Sequence, residues 1–240
     1  MASLYIVSTP IGNLKDITLR ALEIMKNVNF IACEDTRETK KILNAYEINT
    51  PTISFHQHSA EKDAEKIVEK IKSGENGALV TDAGTPNISD PGAKLIQIAT
   101  QTGIRIVPIP GSSALTTAIS VSALDVSKFQ FLGFPPTKKG RKTFFKKLSE
   151  SELTTILYES THRILKTLDE IKAVMPNCQI EVFRELTKKF ETVYRGSISD
   201  VILRIIETKD NQKGEFVLIV DKKIKNDKGI SKLKLKKFGI

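Results

Sequence analysis

The eleven residues 82–92 place two carboxylates, two glycines and two prolines in one short segment. They follow the apolar run 78–81, which is typical of a short buried strand. Glycine lets the backbone approach a ligand closely or adopt a positive φ, and proline fixes φ. A carboxylate in such a loop can accept a proton or hold a polar group. A plain strand-to-helix turn needs only one glycine and one capping Asp, so we predict a ligand-binding loop here.

Two other loops have the same character. Residues 8–13 (Ser-Thr-Pro-Ile-Gly-Asn) follow a predicted strand over residues 4–8, and residues 108–114 (Pro-Ile-Pro-Gly-Ser-Ser-Ala) follow a predicted strand over residues 104–107. Each loop joins a strand to a helix, and the carboxyl ends of parallel strands share one edge of a sheet. The three loops therefore predict one composite site.

Several common sites are excluded by spacing. No G-x-G-x-x-G follows the first strand and no G-x-x-x-x-G-K-[ST] occurs, which argues against a dinucleotide fingerprint and a Walker-type nucleotide site. The three histidines and two cysteines lack zinc spacing. His56 and His58 could chelate a metal, but an exposed polar stretch after a strand explains them better. We therefore predict no metal site.

Composition bounds the class of protein. The chain has 240 residues, of which 40% are hydrophobic, so it can bury a sizeable core. Two cysteines, no signal peptide and no apolar run of about 18 residues predict a protein of the reducing cytoplasm. The net charge is +9, and residues 222–240 contribute eight lysines and one acid. This tail favours a polyanionic partner such as RNA, or else it is a solubilising end.

Strand and helix patterns alternate along the chain, which predicts an α/β fold of two domains with mostly parallel sheets. We expect domains over residues 1–120 and 121–222, followed by a lysine-rich tail over 223–240. Pro135 and Pro136 interrupt the pattern and indicate a domain junction or a lid. The expected strands lie near 4–8, 28–33, 52–55, 78–81, 104–107, 154–158, 179–184 and 215–220, and the expected second-half helices near 139–149, 162–174 and 198–207.

A series of motifs carries a family resemblance. In chain order they are TPIGN (9–13), EDTR (34–37), DAGTP (82–86) with SDPG (89–92), PIPG (108–111), YESTHR (158–163), RELTK (184–188) and KGEFV (213–217). This series resembles the branch of the tetrapyrrole (corrin/porphyrin) methylase superfamily whose members methylate ribosomal RNA. The match extends from about residue 4 to residue 220.

The resemblance implies S-adenosylmethionine (S-adenosyl-L-methionine) as cofactor and methylation of the ribose 2′-hydroxyl of a cytidine in 16S rRNA of the small ribosomal subunit. It also implies two α/β domains with the cofactor in a cleft between them, and a homodimer. Members of the branch commonly continue into a small C-terminal extension, whereas this chain has only the lysine-rich tail beyond the second predicted domain.

Methyl transfer from a sulfonium needs alignment of donor and acceptor and a group that accepts the hydroxyl proton. Asp90 is the favoured proton acceptor, with Glu34, Asp35 and Glu159 as rivals; Asp90 could instead cap the helix that begins near Pro91. The expected cofactor-binding residues, drawn from the three loops and from the resemblance, are Pro10, Asp82, Ala83, Gly84, Ser112, Ser113, Tyr158, Gly214 and Glu215. Candidate phosphate contacts are Arg37, Arg163, Arg184 and Lys188, unless they form ordinary ion pairs with neighbouring acids.

Two other functions stay open. One is a tetrapyrrole methyltransferase that acts on a precorrin-type small molecule, against which the EDTR and YESTHR motifs and the basic tail argue. The other is an RNA-binding or assembly factor that keeps the fold without the activity, against which the intact loops argue.

Overall fold

The computed structural model describes residues 2–56, 61–90 and 92–222. The lysine-rich tail from residue 223 and the predicted helix start at Pro91 therefore lie outside the described residues, as does His58. The first half of the chain alternates strand and helix: β1 (Ser3–Val7), α1 (Leu19–Asn27), β2 (Phe30–Cys33), α2 (Thr36–Ala45), β3 (Thr52–Ser54), α3 (Glu61–Lys72), β4 (Gly77–Val80), α4 (Ala93–Gln101), β5 (Arg105–Ile109) and α5 (Ala114–Ser120).

The second half also mixes strands and helices, and two strands follow each other directly. Short 3₁₀ turns lie at Leu14–Asp16 in the first half and Asp210–Gln212 in the second. The elements of the second half are β6 (Phe129–Phe131), α6 (Arg141–Glu150), β7 (Thr154–Ser160), α7 (Ile164–Val174), β8 (Gln179–Arg184), β9 (Thr192–Ser197), α8 (Ile198–Ile206) and β10 (Glu215–Asp221).

The first sheet has the strand order β3-β2-β4-β1-β5, and all four of its strand pairs are parallel. The predicted parallel sheet is thus confirmed, and the loops after β1, β4 and β5 leave from neighbouring strands. Each parallel connection needs a crossover, and the intervening helices supply it.

Buried apolar side chains cover both faces of this sheet. On one face, Ala64 and Ile67 of α3 and Leu95 of α4 pack with Leu4 and Leu79 of the strands. On the other face, helices α1 and α2 contribute Ala21, Met25, Ile42 and Leu43, which pack with Val7, Ile31 and Val80. Because successive strand residues point to opposite faces, an almost continuous apolar run such as Phe30–Cys33 serves both layers.

The second sheet has the order β6-β7-β10-β8-β9, and its β6–β7 pair is parallel. The predicted strands near 154–158, 179–184 and 215–220 correspond to β7, β8 and β10, and the predicted helices to α6, α7 and α8. Strands β6 and β9, which lie at the two edges, were not predicted from the sequence. In both strands, buried and exposed residues alternate little and most residues are only partly buried. Both therefore lack the apolar pattern of a central strand.

The chain groups into two compact units, which we call the first unit and the second unit. The first unit holds the residues up to Ser122 together with Phe183–Val193 and Gly214–Val217. The second unit holds Ala123–Val182, Tyr194–Lys213 and, among the described residues, 218–222. The division into folding domains at residues 120 and 121 stays a prediction.

No helix among residues 2–56, 61–90 and 92–222 is long and apolar enough to cross a membrane. Both cysteines, Cys33 and Cys178, are buried free thiols.

A buried polar network joins α6 and α7 of the second unit. The Arg141 guanidinium donates to Glu170 Oε2 at 2.7 Å, to Thr167 Oγ1 at 2.7 Å and to the Pro136 carbonyl oxygen at 2.8 Å. Thr167 Oγ1 in turn donates to Glu159 Oε2 at 2.6 Å. A buried guanidinium is costly unless it is hydrogen-bonded, and here each of its three nitrogens donates at least one hydrogen bond.

We expect Arg141→Leu to lower the free energy of unfolding by about 2–4 kcal/mol, because it leaves Thr167 and the Pro136 carbonyl without their donor. Chemical denaturation followed by circular dichroism measures the change. The exposed neighbour Thr143 provides the control, since Thr143→Ala should cost less than about 0.5 kcal/mol. Equal stabilities of the two variants would contradict a stabilising role for the network.

Candidate active site

The loops after β1 and β4 are joined by their backbones. The Thr9 N–H donates to the Gly84 carbonyl oxygen at 2.9 Å, and the Gly84 N–H donates to the Thr9 carbonyl oxygen at 3.0 Å. This pair forms an isolated antiparallel bridge beyond the ends of the parallel strands. Gly84 has φ +88°, a value that side-chain-bearing residues rarely adopt, so glycine suits the position.

Hydroxyl groups extend this connection to the loop after β5. Ser8 Oγ and Thr85 Oγ1 lie 2.9 Å apart, and Thr85 Oγ1 donates to the Ser112 carbonyl oxygen at 3.1 Å. Thr9 Oγ1 also donates to the Thr81 carbonyl oxygen at 3.0 Å. The predicted meeting of the three loops is therefore observed in the first unit. Ser8 and Thr85 were not among the predicted site residues, although a hydroxyl directly after a strand could have indicated Ser8.

The loop between β4 and α4 has an unusual backbone. Gly84, Asn87, Ser89 and Gly92 all have positive φ, at 88°, 73°, 66° and 148°. Non-glycine residues with positive φ cost free energy and cluster at functional sites. Helix α4 begins after Gly92, so its N-cap residue is Gly92 and not Asp90.

Acidic side chains converge around Asp90. Burial, followed by repulsion from Glu34, Asp82 and Glu215, raises the pKa of Asp90 to about 7. Burial and the charge of Asp82 also raise the pKa of Glu34, against the lowering effect of nearby His56. Partial loss of water around its carboxyl raises the pKa of Asp82 although the residue as a whole is exposed, and its Oδ1 accepts the Asp35 N–H at 3.0 Å. A carboxylic acid with a pKa near neutrality can exchange a proton at physiological pH.

Asp35 differs from these acids because it forms an ion pair with Arg37. Its Oδ1 caps α2 by accepting the Arg37 N–H at 2.8 Å, and the Arg37 guanidinium forms further hydrogen bonds to both carboxylate oxygens. The hydrogen bonds from Arg37 lower the pKa of Asp35 to about 2. A carboxylate with so low a pKa is a weak base, so the geometry disfavours Asp35 as proton acceptor.

Lys188 connects the loop after β8 with the start of β10 in the first unit. Its ammonium donates to Glu215 Oε2 at 2.8 Å and to Glu185 Oε1 at 3.0 Å. Burial lowers the pKa of Lys188, but the hydrogen bonds to Glu215 and Glu185 outweigh it, and the net pKa is raised. The ammonium of Lys188 lies between two carboxylates, which corresponds to the ion pairing named as the alternative, and its role as a phosphate contact stays a prediction.

Two glycines accommodate this arrangement. A Cβ at Gly12 would lie 2.3 Å from Lys188 Cγ, and a Cβ at Gly214 would lie 2.6 Å from Glu185 Cγ and Oε1. Glu185 Oε1 also accepts the Glu215 N–H at 2.9 Å. Close packing against Glu185 thus explains the glycine at 214, which had been expected only as a cofactor contact.

In the second unit, Glu159 is buried and both of its oxygens are engaged. Oε1 accepts the Ser160 N–H at 2.9 Å and lies 3.2 Å from Arg163 Nε, while Oε2 accepts from Thr167 Oγ1. Arg163 also donates to the Pro135 carbonyl oxygen. These contacts make Glu159 and Arg163 parts of the buried framework, and their predicted roles as base and phosphate contact stay predictions.

The other predicted residues occupy varied environments. Arg184 is 9% exposed and donates to the Phe190 carbonyl oxygen at 3.0 Å, whereas the Arg37 side chain is 86% exposed. The Tyr158 ring makes edge contacts with Phe131 and Phe134 in the second unit. In the first unit Pro10 is buried, Ser112 and Ser113 are half-buried, and Asp82 and Ala83 are exposed. Among the described residues, no group of three or more His, Cys, Asp or Glu side chains could hold a metal ion.

Comparisons with known proteins agree with the resemblance. A family model described as tetrapyrrole (corrin/porphyrin) methylases matches residues 3–202. A Bacillus subtilis protein named ribosomal RNA small subunit methyltransferase I is 46% identical over 222 residues, which are 92% of this chain and 75% of that protein. A protein of the same name from Hydrogenobaculum is 46% identical over 221 residues, which are 91% of this chain and 95% of that protein.

A solved structure has a similar fold. The crystal structure of diphthine synthase aligns with a TM-score of 0.71 at 13% sequence identity, covering 92% of this chain and 90% of that chain. At this identity the likeness concerns the fold, and it confirms the predicted α/β architecture.

The acid cluster predicts an unusual dependence of stability on pH. Because the folded-state pKa of Asp90 is raised from 3.8 to about 7, ionising it destabilises the fold, and this penalty grows as pH rises through that window. We expect Asp90→Asn to raise the free energy of unfolding at pH 8 by about 1–2 kcal/mol after allowance for solvent screening, and by less at pH 5. Denaturation curves at both pH values measure the difference. The reverse order, with a larger gain at pH 5, would contradict the raised pKa.

Proposed function

This chain is a member of the tetrapyrrole (corrin/porphyrin) methylase family, and we propose that it is an S-adenosylmethionine-dependent methyltransferase acting on the ribose 2′-hydroxyl of a cytidine in 16S rRNA. The proposal rests on one observation above all, the 46% identity along 222 residues to a protein named ribosomal RNA small subunit methyltransferase I. The runner-up, methylation of a precorrin-type tetrapyrrole, shares the fold, but no described residue favours it.

The loops after β1, β4 and β5 fit a cofactor with amino-acid, ribose and adenine parts. Ala83 and Asp82 are exposed, and the Cβ position of buried Gly84 has no neighbour closer than 3.5 Å, so the loop offers an accessible stretch with little side-chain bulk beside it. Asp82, Ala83 and Gly84, with Pro10, Ser112 and Ser113, would hold S-adenosylmethionine in the first unit. When bound, the cofactor supplies an electrophilic methyl group on sulfur.

Asp90 is the proposed proton acceptor. A carboxylate oxygen of Asp90 takes the proton from the acceptor hydroxyl, and a pKa of about 7 makes this carboxylate a far stronger base than an ordinary Asp. Glu34 is the second candidate for the proton acceptor, because burial raises its pKa as well. Asp35 is tied to Arg37, and both oxygens of Glu159 already accept hydrogen bonds.

Three finer features belong to the same proposal. Tyr158, Gly214 and Glu215 would contribute further cofactor contacts, as the family resemblance implies. The substrate is the small ribosomal subunit or its 16S rRNA, and the enzyme acts as a homodimer. No metal takes part, since the chemistry consists of displacement at carbon and transfer of one proton.

We expect labelled S-adenosylmethionine to transfer its methyl group to small ribosomal subunits or free 16S rRNA and not to a precorrin. In the same assay, Asp90→Asn should lower single-turnover methylation about 10²–10⁴-fold at saturating cofactor, because the amide lacks a basic oxygen. Cofactor affinity, measured by calorimetry, should stay within a few-fold of wild type.

The wild-type rate should rise with pH up to about 7 and then level off, since the base acts in its ionised form. Glu34→Gln is the matched comparison and should reduce turnover less than Asp90→Asn. A near-normal rate for Asp90→Asn would transfer the role of base to Glu34. Methylation of the precorrin alone would replace the proposed function by its runner-up.

Gly84→Ala tests the cofactor loop against a matched control. Gly84 and Gly103 both have positive φ, at 88° and 73°, but Gly103 lies in the turn between α4 and β5, at the opposite end of the sheet. Each alanine variant should cost about 1 kcal/mol of stability through backbone strain. Only Gly84→Ala should weaken S-adenosylmethionine binding, by about tenfold or more, in calorimetry with a chelator present. Equal cofactor affinity in the two variants would contradict the assigned loop.

A further inference from the structure

The loop before α6 and most of α6 itself form a strongly basic segment of the described chain. Residues 126–149 hold seven cationic and no acidic side chains. Six of the seven are lysines, and Arg141 is the buried exception. Five of these lysines lie close together in sequence and are all exposed; we call them the lysine face: Lys138, Lys139, Lys142, Lys146 and Lys147.

The helix orients its share of these lysines toward solvent. Arg141, Phe145 and Leu148 are buried and lie on one side of α6, whereas Lys142, Lys146 and Lys147 lie on the other. Lys146 is 77% exposed and lies 3.9 Å from Glu150, a distance at which an exposed pair contributes little. The positive charge of this side is therefore available to a partner.

The loop before the helix is held rigidly. Arg163 donates to the carbonyl oxygen of Pro135 and Arg141 to that of Pro136, so two guanidinium groups hold two consecutive carbonyls. Gly140, with φ +83°, then turns the chain into α6. Lys138 and Lys139 are thus presented from a fixed backbone, which reduces the entropy lost when a partner binds.

The cations expected from sequence to contact phosphate are already engaged. Arg163 and Arg184 each donate to a backbone carbonyl oxygen, and Lys188 lies between two carboxylates. Arg37 is exposed but forms a bidentate pair with Asp35. A polyanion would have to displace these partners, whereas the lysine face offers its charge without such a cost.

Two polyanionic partners fit a basic helix, an RNA backbone and an anionic membrane surface. Helices that lie on membranes present a broad apolar face to the lipid. In α6 the apolar residues Phe145 and Leu148 are buried in the protein and Phe144 is half-buried, while the exposed side consists of three lysines, one threonine and the terminal Glu150. The chemistry of the exposed side matches phosphate groups in water and lacks the apolar surface that lipid insertion needs.

We propose that the lysine face binds the phosphate backbone of the RNA substrate. The inference rests on the proposed function for the identity of the RNA, and it assigns RNA contact to side chains that the motif resemblance did not indicate. Phosphate contacts of this kind position the substrate and carry no sequence information, so the lysine face sets affinity and leaves the choice of nucleotide to other groups.

The test uses the full chain and a variant in which Lys138, Lys139, Lys142 and Lys147 are all changed to Gln. Binding to a 16S rRNA fragment is measured over a range of salt concentrations. The slope of log affinity against log salt should become shallower by about 2–3, since each phosphate contact contributes about 0.7 to that slope for single strands. At physiological salt the affinity should fall about 10–100-fold.

The control removes the same charge from elsewhere. Lys26, Lys62, Lys72 and Lys209 are exposed lysines in other elements, and changing all four to Gln should leave the slope within about one unit of wild type. In steady-state methylation the lysine-face variant should raise KM for RNA with little change in kcat, which a merely destabilising change would not do. Vesicles of anionic phospholipid should bind neither protein appreciably.

Each outcome decides a separate point. Equal salt slopes for the lysine-face and control variants would overturn the proposed surface while leaving methylation of RNA intact. Binding of vesicles in place of RNA would overturn it in favour of a membrane surface. A wild-type chain that binds RNA through the lysine face but transfers no methyl group would sustain the surface and refute the proposed activity.

Discussion

The two hydrogen bonds between Thr9 and Gly84 hold together the loops of the candidate site in the first unit. Parallel strands diverge beyond their last ladder hydrogen bond, and the loops that follow them are ordinarily independent. Here the bridge joins the loops of two neighbouring strands, and the hydroxyls of Ser8 and Thr85 extend the connection to a third. The strained segment between Gly84 and Gly92, and with it Asp90, therefore starts from a fixed point.

Charge is distributed around that edge in a selective way. Arg37 pairs with Asp35, and Lys188 bridges Glu185 and Glu215, while burial and mutual repulsion act on Asp90, Glu34 and Asp82. A fold selected only for stability would pair these acids too. Unfavourable electrostatics at a site of this kind are usual where a group must gain and lose a proton, and the well-packed layers on both faces of the sheet offset the cost.

Much of this organisation was predictable because it depends on local pattern. Apolar runs bounded by glycine and proline located the strands of the first sheet to within about two residues, and parallel topology then brought their loops together. The edge strands β6 and β9 were not predicted, because half-exposed strands lack a continuous apolar run. The contacts of Arg163 and Arg184 were not predictable, since their donors reach the carbonyl oxygens of Pro135 and Phe190, and no side-chain motif encodes a bond to a backbone oxygen. The lysine face needed the structure for the opposite reason, because a charged run does not reveal which of its members are buried.

The hydrogen bonds from Arg141 and Arg163 to the carbonyl oxygens of Pro136 and Pro135 also restrict the motion of this segment. A hinge works when a few backbone bonds can rotate without losing other contacts. If this segment moved by itself, two adjacent carbonyl oxygens would each lose a guanidinium donor, and the packing beneath α6 and α7 would open. The segment Pro135–Pro136 therefore does not act as a hinge. Any displacement of it that is faster than local unfolding must move α6 and α7 together as a rigid body.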